Sequence, residues 1–425
     1  MTDTARPHRP LAAYAAVTAA YWAFMLTDGA LRMLVLLHFH TLGFTPVQLA
    51  YLFLLYEFAG MVTNLSAGWI AARFGLTATL YAGLGLQVGA LVALAQLDPG
   101  WALWASVGFV MAVQGVSGVA KDLAKMSSKS AVKLLAPEGQ GTLFRWVALL
   151  TGSKNAVKGL GFLLGAGLLA LGGFKAAVLA MAGVLALILA AVATLMPAGL
   201  PRGRRGAAFA EVVSKDANVN RLSAARVFLF GARDAWFVVG VPVYFYSVLS
   251  DGTEDGQRAA FFAVGTFMAA WIIGYGAVQA AAPRILRARE KGLAETVGLA
   301  RAWVGALTAI PAALALAAWA ADGPAAWLTG ILVAGLLVFG VVFAVNSALH
   351  SYLILAVTQA RRVTMDVGFY YMANAGGRLL GTLLSGLSYE AGGLPLCLAA
   401  STAMAALAWA CTGWLSRAGA PGRTA

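Results

Sequence analysis

Apolar runs long enough to cross a bilayer, about 18 residues or more, recur along the whole length of this 425-residue chain. A transmembrane helix needs about 20 such residues. Only 11% of the residues are charged, whereas a soluble globular domain has about 25%. We therefore predict an all-α membrane protein that crosses the bilayer many times.

The apolar runs and the polar segments between them predict twelve transmembrane helices. We place them at about 11–39, 46–71, 77–97, 101–123, 142–171, 174–196, 221–249, 259–282, 293–320, 327–357, 366–391 and 394–416. The connecting segments are basic on one side and mostly acidic on the other. Because Lys and Arg accumulate in cytoplasmic loops, we expect both termini in the cytoplasm. This placement explains the net charge of +13 without a nucleic-acid partner.

The longest polar interruption, from Pro197 to about Asn220, divides the predicted helices six and six. We predict an N-terminal six-helix bundle over residues 1–196, a cytoplasmic linker over 197–220 and a C-terminal six-helix bundle over 221–425.

A faint internal repeat supports two related halves. Asp28 is followed by a His-Phe-His that ends at His40, and Asp234 is followed at the same offsets by a Tyr-Phe-Tyr that ends at Tyr246. Two parallel six-helix halves are the arrangement of the major facilitator superfamily, whose transport site lies between the halves near the bilayer midplane.

Two short segments resemble motifs of that superfamily. The sequence Gly68-Trp-Ile-Ala-Ala-Arg73-Phe-Gly75 resembles its glycine, aspartate, arginine and glycine signature, with Ala72 in the place of the aspartate. The stretch 114–120 resembles a second motif, with Met111 in the place of its arginine. These substitutions remove a charge contact and the usual proton-coupling candidate of helix four.

Charged residues inside the predicted helices give the strongest indication of function. Six are basic and three are acidic: Arg32, Lys154, Lys158, Arg226, Arg233 and Arg378, against Asp28, Glu57 and Asp234. A cation near the bilayer centre costs about 2.5 to 3.5 kcal/mol on insertion scales, so the unopposed cations need water or a bound anion. All nine residues fall on helices 1, 2, 5, 7 and 11, which border the cavity in this fold. The pattern predicts a cavity that carries a polyanion across the membrane.

We predict substrate ligands among the basic residues near mid-helix and two amides close to them: Arg32, Lys154, Lys158, Arg233, Arg378, Asn155 and Asn374. Lys154 and Lys158 share one helix face and repel each other unless an anion lies against them. Arg226 is nearer the cytoplasm, where its side chain could instead snorkel to the interface. Further uncharged hydrogen bonds to the cavity are expected from Gln114, Asn346, Ser347 and His350.

The three buried carboxylates, Asp28, Glu57 and Asp234, are candidates for coupling transport to protons. A carboxylate that gives up its cationic partner to the substrate changes its proton affinity, which links the two binding events. Asp28 and Arg32 lie four residues apart and can pair directly. The side chains of Arg233 and Asp234 leave the helix about 100° apart, so we expect no contact that neutralises them.

The remaining reactive residues predict no enzyme and no cofactor. His38 and His40 point about 200° apart on a helix, and Cys397 and Cys411 lie about 21 Å apart along one. Neither spacing suits a metal site, and the cysteines cannot form a disulfide. The sequence contains no phosphate-binding loop of the nucleotide-hydrolase type and no catalytic constellation.

Nearly the whole chain resembles one branch of the superfamily, the organoarsenical efflux permeases (ArsJ type) of bacterial arsenic-resistance operons. The resemblance is carried by Ala20-Tyr-Trp-Ala-Phe-Met-Leu-Thr-Asp28-Gly-Ala-Leu-Arg32, Lys121-Asp-Leu-Ala-Lys125-Met-Ser-Ser-Lys129-Ser, Leu143-Phe-Arg145-Trp-Val, Thr151-Gly-Ser-Lys154-Asn155-Ala-Val-Lys158-Gly and Ser223-Ala-Ala-Arg226-Val-Phe-Leu-Phe-Gly-Ala-Arg233-Asp234. It implies export of 1-arseno-3-phosphoglycerate across the bacterial inner membrane. It also implies a functional link to glyceraldehyde-3-phosphate dehydrogenase, which makes this ester when arsenate replaces phosphate.

Other functions remain open at the level of sequence. An organophosphate exchanger of the same superfamily is the main alternative, because such exchangers resemble this layout in having arginines on helices one and seven, here Arg32 and Arg233. Uniport or phosphate exchange could replace proton coupling. A receptor that binds an anion without transporting it is a further alternative, although the chain has no output domain.

Overall fold

The computed structural model of the protein describes residues 9–135, 142–195, 214, 216–286, 291–321, 323–358 and 363–415. Every secondary-structure element in these ranges is a helix. The helices are α1 (Arg9–Thr41), α2 (Pro46–Phe74), α3 (Leu76–Leu94), α4 (Leu103–Leu135), α5 (Thr142–Leu195), α6 (Ala217–Phe237), α7 (Gly240–Leu249), α8 (Glu254–Leu286), α9 (Leu293–Ala320), α10 (Ala326–Val357) and α11 (Val363–Gly413). Most of the predicted linker 197–220 lies outside the described residues, and α6 begins within it.

Two of these helices are divided by glycines. α5 contains Gly173 at φ 72°, and α11 contains Gly392 beside Gly393, the latter at φ 64°. Glycine adopts positive φ without the steric penalty of other residues, so each site divides the helix in two, as the sequence predicts. We call the parts before these glycines the first parts of α5 and α11.

Within the described residues, ten helical segments are long and apolar enough to span a membrane. Two of them, Ser153–Thr194 and Asp366–Gly413, have 42 and 48 residues, enough for two crossings each at about 20 residues per crossing. α6 and α7 together form one span, Ala217–Leu249. The protein is thus a multi-pass, all-α membrane protein with twelve crossings, which confirms the predicted fold class.

α4 is longer than its predicted range of 101–123 and continues to Leu135. The prediction ended this helix at the first lysines, on the assumption that charge marks a loop. Lys, Leu, Ala and Met are good helix formers, and the helix therefore continues through Lys121 and Lys125. This extension brings charged side chains of α4 into the interior of the protein.

Close packing within each half depends on glycines. At Gly161 and Gly165 the first part of α5 touches α1, and a Cβ at Gly165 would lie 2.7 Å from Ala30 Cα. In the other half, a Cβ at Gly377 on α11 would lie 2.9 Å from Val227 Cα on α6. Small residues four apart allow helix backbones to approach in this way in membranes.

The two halves meet through α2 with α11 and through α5 with α8. At the end of the bundle next to residues 42–45 they are in contact: the His40 and Tyr246 rings lie 5.0 Å apart, and the Val47 N–H donates a 3.0 Å hydrogen bond to Glu390. Gly386 packs against Ala50, where a Cβ would lie 2.6 Å from the Ala50 Cβ. We refer to this end as the closed end.

Gly165→Ala should destabilise the protein by about 1 to 3 kcal/mol, because the new methyl group would overlap the α1 backbone in a packed interface. Gly183→Ala is the matched control, since a Cβ at Gly183 meets nothing within 4 Å. Thermal unfolding of the two purified variants tests the difference. Equal melting temperatures for both variants would contradict the close α1–α5 contact.

Candidate functional site

A cavity of about 610 Å³ lies between the two halves. Its described lining comes from α1, α2, α4, α6, α8, α10 and the first parts of α5 and α11. None of these described lining residues belongs to α3, α9 or the later parts of α5 and α11. The lining thus includes all five predicted helices that carry the buried charges, helices 1, 2, 5, 7 and 11 of the sequence analysis.

The cavity lies toward the end of the bundle opposite the closed end. Its lining extends to Leu286 at the end of α8 and to Leu355 near the end of α10. On the side of the closed end, Phe162 and Phe237 line it from opposite halves, with ring centroids 6.1 Å apart. The cavity therefore has an apolar floor that separates it from the closed end.

Basic side chains outnumber acidic ones in the cavity wall. Within the described residues, eight basic residues line it: Arg32, Lys121, Lys125, Lys154, Lys158, Arg226, Arg233 and Arg378. Asp122 and Asp234 line it as well, and Asp28 and Glu57 lie directly behind the wall in contact with lining cations. Four carboxylates thus face eight cations, an excess of four positive charges. All seven predicted substrate ligands are among the lining residues, and their binding role stays a prediction.

Asp28 bonds to residues of neighbouring helices. Lys158 Nζ on α5 donates to its Oδ2 at 2.6 Å, and the Tyr56 hydroxyl on α2 donates to its Oδ1. Arg32 Nη1 instead donates to Glu57 Oε1 at 3.1 Å. The predicted pair of Asp28 with Arg32 is therefore wrong. The physical reason is the close α1–α5 contact, which brings the Lys158 ammonium against Asp28.

Arg378 on α11 connects the two halves through ion pairs. Its Nη2 donates to Glu57 Oε1 on α2 at 2.5 Å, and its Nε lies 3.7 Å from Asp234 Oδ2 on α6. The separation of Arg378 Nε and Asp234 Oδ2 is short enough for an ion pair but too long for a hydrogen bond. Glu57 is fully buried, and its Oε1 accepts hydrogen bonds from both Arg32 and Arg378.

Arg233 and Asp234 are in direct contact, which corrects the expectation that they cannot neutralise each other. Arg233 Nε donates to Asp234 Oδ1 at 2.6 Å. The two Cβ atoms do point in different directions, but the arginine chain is long enough to fold back toward its neighbour. Its guanidinium then lies 4.8 Å from the centre of the Phe230 ring.

Lys154 and Asn155 lie on the wall formed by the first part of α5, one turn from Lys158. The Asn155 amide donates a 3.4 Å hydrogen bond to Gln279 on α8. The lysine pair differs from the expectation in one respect, because Asp28 already provides Lys158 with a carboxylate. The charge of Lys158 is therefore available to a ligand only in competition with Asp28.

α2 and α4 contribute a polar cluster to the cavity that the sequence pattern did not predict. Lys125 Nζ donates to Asp122 Oδ1 and to Asn64 Oδ1, both at 2.7 Å, and Asn64 donates to Asp122 at 3.1 Å. Lys121 Nζ lies 4.0 Å from the centre of the Tyr56 ring. The four-residue spacing of the two lysines on a continuing helix was the available signal.

Arg226 lines the cavity and does not snorkel to an interface. Its Nε donates to Asn374 Oδ1 at 3.0 Å, and its Nη1 donates to Ser347 Oγ at 3.1 Å. All four of the other uncharged candidates, Gln114, Asn346, Ser347 and His350, are buried but do not line the cavity. The polarity of these side chains alone could not show which side of α4 or α10 faces the cavity.

No group of three or more His, Cys, Asp or Glu side chains in the described part of the chain could hold a metal ion.

No family model and no curated protein sequence matches the chain. Among solved structures, it is similar to the crystal structure of a mutant form of the nucleoside transporter NupG, with a TM-score of 0.66 and 16% sequence identity. The match covers 95% of this chain and 98% of that one. The chain has the fold of the major facilitator superfamily. At this identity, the likeness extends to the fold alone.

Glu57→Gln should destabilise the protein by about 3 to 5 kcal/mol, because it leaves the buried Arg32 and Arg378 without their shared carboxylate. Glu254→Gln is the control, since that exposed carboxylate lies 3.8 Å from the exposed Arg258, and exposed pairs contribute about 1 kcal/mol or less. Denaturation of purified protein measures both effects. A Glu57→Gln variant as stable as Glu254→Gln would contradict the central ion-pair network.

Proposed function

We propose that the protein transports a small organic anion with two oxyanion groups, and that its substrate is 1-arseno-3-phosphoglycerate, exported across the bacterial inner membrane. The excess of four cations in the cavity between the halves carries this proposal. At about 2.5 to 3.5 kcal/mol for each cation within a bilayer, four unopposed charges would cost roughly 10 to 14 kcal/mol without water or an anion. A bound polyanion offsets this cost.

The distribution of the cations suits a ligand that is charged at both ends. Arg32 and Lys158 belong to the first half, and Arg233 and Arg378 belong to the second. An arseno-phospho ester carries one tetrahedral oxyanion at each end, and guanidinium groups bind such oxyanions with two parallel hydrogen bonds. One such ligand can therefore contact both halves at once.

The family resemblance supports the same substrate. The segments that carry it supply seven of the eight basic lining residues, all except Arg378. The cavity also has no cysteine among its described lining residues, which disfavours trivalent arsenite, a species that prefers thiolates. Arsenic would then pass as a pentavalent ester.

Transport would follow alternating access between two arrangements of the halves. In the described arrangement the contacts at the closed end separate the cavity from one side of the membrane. The accumulation of Lys and Arg in the connecting segments supports a cytoplasmic location for the opposite end. An anion on Lys158 or Arg378 would compete with Asp28 or Glu57, and the displaced carboxylate is then the candidate for proton coupling.

Organophosphate exchange is the second candidate, because Arg32 and Arg233 both line the cavity and would bind phosphate esters equally well. Nucleoside transport, the activity named for the structural relative, fits less well. A neutral nucleoside would leave the excess positive charge unopposed.

Expression of the chain with a glyceraldehyde-3-phosphate dehydrogenase should make an arsenic-sensitive bacterium tolerate arsenate and retain less arsenic. Lys154→Ala and Arg233→Ala should abolish this gain, because each removes a cation from the cavity. Arg258→Gln is the matched control, an exposed arginine outside the cavity. Growth and cellular arsenic are measured in strains with equal amounts of membrane-inserted protein.

Tolerance that does not require the dehydrogenase would contradict the ester as substrate. No tolerance from well-expressed wild-type protein, together with uptake of labelled phosphate esters into vesicles, would favour the organophosphate exchanger instead.

A further inference from the structure

Arg226 differs from its neighbours in the cavity wall in having uncharged partners. Arg32, Lys158, Arg233 and Arg378 each contact a carboxylate. Arg226 bonds to the amide oxygen of Asn374 and to the hydroxyl and carbonyl oxygens of Ser347. Within the described part of the chain, no carboxylate lies within ion-pair distance of it.

The guanidinium of Arg226 is held in a fixed position. It lies 4.1 Å from the centre of the Phe230 ring and 5.0 Å from that of Tyr370. Together with Asn374 on α11 and Ser347 on α10, these rings fix it from three helices, and only 4% of the residue is exposed. A cation that is fixed in advance loses little entropy when it binds an anion.

The position of Arg226 relative to the central cations suits a second charged group. Arg226 and Arg233 are seven residues apart on α6, which is about two turns, so they share a helix face. Their guanidinium groups lie 4.1 Å and 4.8 Å from the centre of the same Phe230 ring, so the two charges are no farther apart than the sum of these distances. Both line the same cavity. The central cations already have carboxylates, whereas the charge of Arg226 is available without breaking an ion pair.

We propose that Arg226 forms a second anion subsite, fixed by Asn374 and Ser347, which makes the cavity select ligands with two oxyanion groups over ligands with one. This inference rests on the proposed anion transport and adds a residue that determines specificity. One end of the ligand binds Arg226, and the other end reaches the cations around Arg233 and Arg378. A ligand with one oxyanion occupies one subsite at a time.

Binding of propane-1,3-diyl bisphosphate and of propyl phosphate to the purified protein tests this subsite. Calorimetry at fixed pH and ionic strength gives both dissociation constants, and their ratio is the selectivity. Wild-type protein should prefer the bisphosphate by at least about tenfold, the contribution of one hydrogen-bonded charge pair. Arg226→Gln should bring the ratio close to one, whereas Arg258→Gln, at an exposed arginine outside the cavity, should leave it unchanged.

Asn374→Asp provides a second variant if Arg226→Gln does not fold. It places a carboxylate of similar shape 3.0 Å from Arg226 Nε, which should neutralise the subsite and lower the ratio while the arginine remains. A wild-type ratio in either folded variant would overturn the subsite. Equal affinities of wild-type protein for both compounds would overturn it as well but leave anion transport intact, whereas no binding of either compound would contradict both proposals.

Discussion

The shared ion pair of Glu57 with Arg32 and Arg378 joins the two halves of the protein where the bilayer is least tolerant of charge. Arg378 lies about 20 Å along α11 from the closed end, at 1.5 Å per residue, and its partner Glu57 is fully buried on the opposite half. Asp234 extends this network to α6, and a separate ion pair of Asp28 with Lys158 joins α1 to α5. The halves thus meet through charges that depend on one another, and a ligand that displaces one carboxylate changes the contact between them.

A consequence of this network is that the cavity contains two kinds of cation. Those around Glu57, Asp28 and Asp234 are already paired, so an anion must compete with a carboxylate to reach them. Arg226 is fixed by neutral groups and has no such competitor among the described residues. A charged ligand can therefore bind first where no ion pair must break, and then compete for the central cations.

The sequence predicted the twelve crossings and the cavity-lining helices well, because both follow from hydropathy and from the cost of charge in lipid. It could not predict the partners of the buried charges. Asp28 and Arg32 are near neighbours in sequence, yet the packing of α1 against α5 and α2 gives each a different partner. The charged residues of α4 were missed for a related reason, because Lys121 and Lys125 were assigned to a connecting segment, whereas their helix continues into the interior.

The shared fold of this chain and a nucleoside transporter makes the charge of the ligand the central question. Equilibrium binding of 3-phosphoglycerate and of uridine to the purified wild-type protein answers it directly. With four cations in excess, the protein should bind 3-phosphoglycerate with an affinity that falls as ionic strength rises, and it should not bind uridine. Binding of uridine without binding of 3-phosphoglycerate would contradict an anion site in this cavity.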